Sequence, residues 1–197
     1  MNTKLIRSIM AGACISIGCI ANISCDNRYV GAVLFSFGLL AVCTFGYDLF
    51  TGKVCYLDNW ADLALILLGN LLGSALTAIV FYGCVSNKYQ EKITTICEIK
   101  LNEPILSTFL LGVLCNIMIY FAVEGFKHKQ ILLLIGGVSI FVLCGFEHCV
   151  ANAFYVAYYS LLIHVSPVKV IMFFICNIFG NIFGGRMMKN IGKVVIN

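Results

Sequence analysis

Gly145-Phe146-Glu147-His148-Cys149-Val150-Ala151-Asn152 sets a carboxyl, an imidazole and an amide inside a greasy stretch, between Ile140–Leu143 and Phe154–Tyr155. Facing lipid, such groups would be very costly. Ionisable side chains at membrane depth therefore belong to a bundle interior or a polar pathway. A shorter echo, Gly46-Tyr47-Asp48-Leu49-Phe50-Thr51-Gly52-Lys53, interrupts another hydrophobic segment in the first half of the chain. Two interrupted helices at corresponding places in two halves are the best sequence pointer to a transporter or channel site.

Composition supports a membrane setting. Hydrophobic residues make up 61% of the 197 and charged ones only 11%, against about 25% charged in an ordinary soluble domain. Such a chain would expose large apolar patches to water. At roughly 20 residues per crossing there is room for about six or seven spans and short loops, and no stretch is polar enough to stand apart. The expectation is a single transmembrane domain over 1–197, with halves of about 1–84 and 104–197. The net charge of +4 is spread without a basic block, so nucleic acid is not an expected partner.

The 11 cysteines form no Cys-x-x-Cys, and most fall in apolar spans, where the free thiol is a small hydrophobe. Neither a metal site nor another cofactor is expected, because the spacing is wrong for one. Cys84 and Cys97 flank the one sizeable loop, 85–103, and could pair if that loop faces an oxidising compartment; the sequence leaves their redox state open. Lys4 and Arg7 ahead of Ile9–Ile23 mimic a signal peptide, and Ser16-Ile17-Gly18-Cys19 loosely resembles a lipoprotein cleavage site. The symmetry of the later segments needs a partner, so this run reads as a retained helix.

The predicted spans are 5–24, 29–58, 61–84, 104–125, 131–163 and 168–192. The second and fifth are too long for one simple helix, and they carry the two interruptions. Gly69-Asn70-Leu71-Leu72-Gly73-Ser74 in the third span matches Gly180-Asn181-Ile182-Phe183-Gly184-Gly185 in the sixth. Three spans per half enter the membrane in opposite senses, an inverted 3+3 repeat. The Gly-x-x-x-Gly pairs read as close helix packing. Asn70 and Asn181 are expected to hydrogen-bond backbone freed at the breaks. Asp48 and Glu147, beside those breaks, read as carboxylates for exposed amides and helix N-termini rather than as substrate contacts.

Lys4, Arg7, Lys127, Lys129, Arg186, Lys189 and Lys193 fall on one side; Arg28, Lys88, Lys92, Lys100 and Lys169 fall on the other. The longer loop also carries Glu91, Glu98 and Glu103. The positive-inside tendency places both termini in the cytoplasm, in the inner or plasma membrane.

These residues resemble the formate/nitrite transporter family over nearly the whole chain. Leu49-Phe50-Thr51-Gly52 resembles its Ω-loop motif. Gly145-Phe146-Glu147-His148-Cys149-Val150-Ala151-Asn152 resembles its fifth-helix signature, with cysteine in place of serine, and Gly180-Asn181-Ile182-Phe183-Gly184-Gly185 its sixth-helix motif. The resemblance implies an all-α, aquaporin-like fold of six transmembrane helices, broken at the second and fifth. It also implies a homopentamer, with a pore per protomer for small monovalent anions such as formate, nitrite or hydrosulfide. The family's central histidine falls on His148, its Ω-loop threonine on Thr51, its vestibule lysine on Lys100 and its fourth-helix asparagine on Asn116. Its constrictions fall on Phe35, Leu39, Phe141 and Ile119, with Leu49 and Phe50 across the histidine. The first span starts almost at Met1, so gating by the amphipathic amino-terminal helix of many members is not expected. The fifth-to-sixth connection, near Ser166-Pro167, is short.

On the residues alone, His148 reads equally as a satisfied buried histidine or as a group facing the permeant, Lys100 as a solvated loop charge, and the constriction residues as core. The resemblance promotes all of them. An anion in an apolar constriction pays a large desolvation cost, which protonation of a weak acid removes. Histidine titrates nearest neutrality, so His148 is the expected proton-exchange partner. Lys100 is expected to draw in the anion by focusing, and Thr51 and Asn152 to supply hydrogen bonds. The partners are thus a small anion, a proton, lipid and further copies of the chain. No enzymatic activity is expected: an intramembrane thiol oxidoreductase would want a cysteine pair or metal cluster, and a non-transporting subunit would leave the polar breaks superfluous.

Overall fold

The structure, a computed structural model, describes residues 3–85 and 88–195, all of whose regular elements are helices. The side chain of Lys193 lies outside the described residues. Four helices are long and apolar enough to cross a membrane: α1 (Thr3–Ser24), α4 (Trp60–Val85), α6 (Ile105–Lys127) and the Pro167–Gly192 part of α9 (Pro167–Val195). Two further crossings are each split. The first joins α2 (Arg28–Thr44) to the short α3 (Phe50–Lys53); the second joins α7 (Ile131–Leu143) to α8 (Cys149–Leu162).

Local chemistry sets the helix ends. Asn27 caps α2 by accepting from the Tyr29 and Val30 N–H groups at 2.9 and 3.2 Å. Pro167 opens α9, where its missing N–H costs nothing. Both splits begin with the same device. At Gly46 (φ 66°) and Gly145 (φ 70°) the backbone turns left-handed, a conformation glycine adopts without a Cβ penalty. The Gly46 and Tyr47 N–H groups then reach the Cys43 and Val42 carbonyls at 3.3 and 2.9 Å. Gly145 and Phe146 do the same to Val142 and Phe141 at 3.2 and 2.9 Å. Each is a Schellman stop.

The two halves repeat their packing. α1 lies against α2 and α4 as α6 lies against α7 and α9, and α2 meets α7 where the halves join. Glycines let the long pairs touch backbone to backbone. A methyl at Gly73 would overlap the Ile9 carbonyl oxygen and one at Gly12 that of Asn70, while Gly180 and Gly184 approach Phe109 and Val113 in the same way. The six spans and their split members match the sequence expectation.

The segment 85–103 does not. It contains a helix, α5 (Gln90–Asn102), whose Ile93, Cys97 and Leu101 are buried beside α8 and α9. Spacing of four residues puts all three on one face. The pairing left open for Cys84 and Cys97 is not made: Cys97 is buried while Cys84 is exposed at the end of α4, and both thiols are free.

Candidate functional site

Each break exposes backbone that the bundle must satisfy. Asn181, on α9, accepts the Cys149 N–H at 3.0 Å and donates to the Glu147 and Gly112 carbonyls at 2.8 Å each. Asn70, on α4, does the matching work: it accepts the Phe50 N–H at 2.7 Å and donates to the Asp48 and Ser8 carbonyls at 2.9 and 2.7 Å. The carboxylates expected to hold those amides point elsewhere. Both Glu147 oxygens face the Lys100 ammonium at 2.8 and 2.9 Å, and one also accepts from the Asn152 amide at 2.5 Å. Asp48 pairs with Arg7 at 3.2 Å and Lys53 at 2.9 Å. An uncharged amide offers donor and acceptor together, which an ionised carboxylate cannot. That is why asparagine holds the backbone.

His148 occupies the cap position of α8. Its Nδ1 accepts the Ala151 N–H at 3.1 Å, and its Nε2 lies 3.1 Å from the Thr51 hydroxyl oxygen. A nitrogen that accepts an N–H carries no hydrogen, so the ring hydrogen sits on Nε2 and points at Thr51. The Phe141 ring stacks on the imidazole at 5.5 Å between centroids, and Phe35 meets Phe141 edge-on at 5.5 Å. His148 and Thr51, 2% and 0% exposed, are contributed by the two different breaks.

One cavity reaches His148 itself, and a second comes up to Leu49 and Gly52, the neighbours of Thr51 in its short helix. The Gly145-side cavity, about 240 Å³, is lined by Lys100, Glu147, His148, Asn152, Phe35 and Phe141 among others. The Gly46-side cavity, about 300 Å³, is lined by Leu39 and Leu49 with Arg7, Lys53, Tyr56 and Lys127. They lie at opposite ends of α2: Arg28, at its start, donates to the Leu143 carbonyl at the end of α7. The 17 residues of α2 at about 1.5 Å each set the mouths roughly 25 Å apart.

Lys100 is no loose surface charge; its side chain is 15% exposed and pinned to a Glu147 side chain 3% exposed. Removing one member of such a pair strands the other's charge, at about 3–5 kcal/mol. Asn116 stands behind the site, donating to the Thr51 carbonyl at 3.1 Å. Ile119 and Phe50 are buried without lining either cavity. The sequence reading missed the cationic Gly46 mouth. Arg7, counted only for topology, reaches the Gly46 carbonyl and Asp48. Lys127 lies over the Tyr56 ring and pairs with Glu124 at 2.8 Å. Lys53 was the one legible member, since it closes the quoted motif. Among the described residues no group of His, Cys, Asp and Glu is placed to hold a metal.

Comparison with known proteins fits this geometry. A family model described as Formate/nitrite transporter matches residues 1–193. The formate channel FocA of Haemophilus influenzae is 28% identical over 194 residues, covering 83% of this chain and 68% of that protein. FocA of Escherichia coli K12 is 26% identical over 148 residues, covering 64% of this chain, which spans about half of it (52%). A solved pentameric formate channel with formate bound superposes with a TM-score of 0.85 at 25% identity, over 98% of this chain and 96% of that one.

Proposed function

From the premise that this chain belongs to the formate/nitrite transporter family, we propose that it passes small monovalent anions of weak acids across the membrane. Formate or nitrite is the substrate, hydrosulfide a further one, and each protomer of a homopentamer holds its own pore within one transmembrane domain. It acts in transport, not catalysis. The observation that carries this reading is the His148–Thr51 pair, buried between two cavities that approach it from opposite ends of α2. Phe35, Phe141, Leu39 and Leu49 narrow the path on either side, imposing a desolvation penalty on a bare anion. Asn152 offers a further hydrogen bond, while Asn116, Ile119 and Phe50 shape the wall from behind.

The Gly46 mouth is the cytoplasmic one in the inner or plasma membrane, with both termini on that side. Lys4, Arg7, Lys53, Lys127, Arg186 and Lys189 make ion pairs there, in line with the positive-inside tendency. Apolar side chains such as Leu68, Leu72, Val80, Phe179 and Phe183, exposed in the single protomer, are left for lipid or neighbouring protomers.

His148 exchanges the proton. In the resting arrangement its Nε2–H and the Thr51 hydroxyl form a neutral donor chain toward an arriving anion. An imidazolium needs hydrogen on Nδ1 as well, and then has no lone pair for the Ala151 N–H. Each exchange through a charged ring is thus coupled to release of the first turn of α8.

The test is uptake of formate, nitrite and hydrosulfide into proteoliposomes across a pH series, with His148→Asn alongside. Asparagine is a good N-cap acceptor, so it keeps the Ala151 bond and the fold while removing the titratable ring. We expect wild-type uptake to rise as pH falls and the variant to lose that dependence. An unchanged pH profile in His148→Asn would reject proton exchange at this residue.

A further inference from the structure

We propose that a lateral cavity beside the outer vestibule collects the anion before it reaches Lys100, using Arg28 and Lys92; this rests on the transport reading above. The cavity, about 190 Å³, is lined by Asp26, Arg28 and Lys92, and it shares Asn22, Ile96 and Val142 with the vestibule wall. That volume is ample for an anion of a few atoms.

The two cations are held at the end of a helix each. The Lys92 ammonium donates to the Ile23 and Cys25 carbonyls, both at 2.8 Å. Arg28 Nη2 donates to the Leu143 carbonyl at 2.9 Å. An ammonium has three donors and a guanidinium five, so both keep donors for a ligand. Neither has a carboxylate partner among the described ion pairs.

Charge divides unevenly between the two spaces. In the vestibule, Lys100 stands against Glu147 and Glu103, which leaves an excess of negative charge. In the lateral cavity, Arg28 and Lys92 stand against Asp26 alone, which leaves an excess of positive charge. An arriving anion is therefore repelled by the vestibule lining as a whole and attracted one wall away. The lateral cavity raises its local concentration at the entrance, and the vestibule takes it only as Lys100 exchanges partners.

Formate uptake into phosphatidylcholine vesicles tests this with Arg28→Gln, Lys92→Gln and Asp26→Asn. Glutamine keeps an amide donor for the helix carbonyls. At low ionic strength we expect the half-saturating formate concentration to rise about two- to threefold on loss of either cation and to fall by a similar factor in Asp26→Asn. Maximal flux should not change, and the differences should fade near 1 M salt, where the Debye length shrinks to about 3 Å. Effects of the same sign in Asp26→Asn and Lys92→Gln, or effects indifferent to salt, would overturn the proposal and leave the cations as helix caps. Effects seen only in vesicles containing phosphatidylglycerol would assign the cavity to a lipid headgroup and equally overturn it. No uptake of formate, nitrite or hydrosulfide by the wild-type protein, by contrast, would strike down the transport reading itself.

Discussion

Replacing Asn181 with leucine removes one buried amide of similar size and, with it, three hydrogen bonds. Two of the abandoned groups have nowhere else to go: the Cys149 N–H, held at 3.0 Å, and the Glu147 carbonyl, held at 2.8 Å, both lie in the break between α7 and α8. The third, the Gly112 carbonyl, sits within α6 and keeps its helical partner. A stranded buried donor or acceptor costs about 1–3 kcal/mol, so two cost about 2–6 kcal/mol. At roughly 2–4 °C per kcal/mol for a chain of this size, the detergent-solubilised protein should melt at least about 4 °C lower. Local effects should come first. Hydrogen exchange of the backbone over 145–152 should quicken under conditions where α6 and α9 stay protected. Transport should fail as well, because the Cys149 amide fixes the entry of α8 and thereby the ring of His148. Asn70→Leu should behave alike at the other break, through the Phe50 N–H and the Asp48 carbonyl. A melting temperature within about 1 °C of wild type, with unchanged exchange over 145–152, would refute this account.

Other outcomes follow from single contacts. Gly73→Ala or Gly184→Ala should abolish assembly of the folded protein, seen as loss of the monodisperse peak in size exclusion, since the added methyl meets backbone oxygen that has no free side chain to yield. Lys100→Ala should weaken apparent anion affinity and also destabilise the fold, by stranding Glu147; Lys100→Ala with Glu147→Gln should recover much of the melting temperature. Asn177 is fully buried and neither of its amide atoms has a partner among the described residues, so Asn177→Leu should match or exceed wild-type thermal stability. In the exposed loop ahead of α4, a hydrogen bond from Arg186, and then one from Lys189, holds the Asp58 carboxyl below the usual carboxylate range. A depressed value means that the clasp contributes above the ordinary carboxylate pKa of about 4 and fades as pH falls through the lowered one. The melting difference between wild type and Asp58→Asn should accordingly be present at neutral pH and vanish in acid.

Much of this architecture was legible because lipid leaves so few options. Polar residues inside apolar runs marked both breaks. Gly46 and Gly145 marked where each would turn, and the repeated Gly-Asn-x-x-Gly marked the helices that pack beside them. α5 escaped although its signal was present. Ile93, Cys97 and Leu101 recur at helical spacing, but Glu91, Lys92, Glu98, Lys100 and Glu103 make the segment read as a solvated loop. The partners of the carboxylates were not legible at all. Glu147 finds Lys100 across 47 positions and Asp48 finds Arg7 across the first two helices, and a pattern along one strand of sequence does not encode which distant ammonium will fold over it. The same holds for the lateral cavity, which exists only because the ends of α1 and α7 come to rest beside α5.

The backbone-to-backbone seams between α1 and α4 and between α6 and α9 bear on speed. Shear motion slides helices over a cushion of side chains, and at these glycine contacts the cushion is missing. Each seam lies within one half and stiffens that half as a unit, so the parts left free to move at the narrow points, besides the first turn of α8, are rings and isobutyl groups. Such groups reorient within nanoseconds when they have room. Passage paced by them would show a low activation enthalpy and a turnover closer to that of a hole than of a machine.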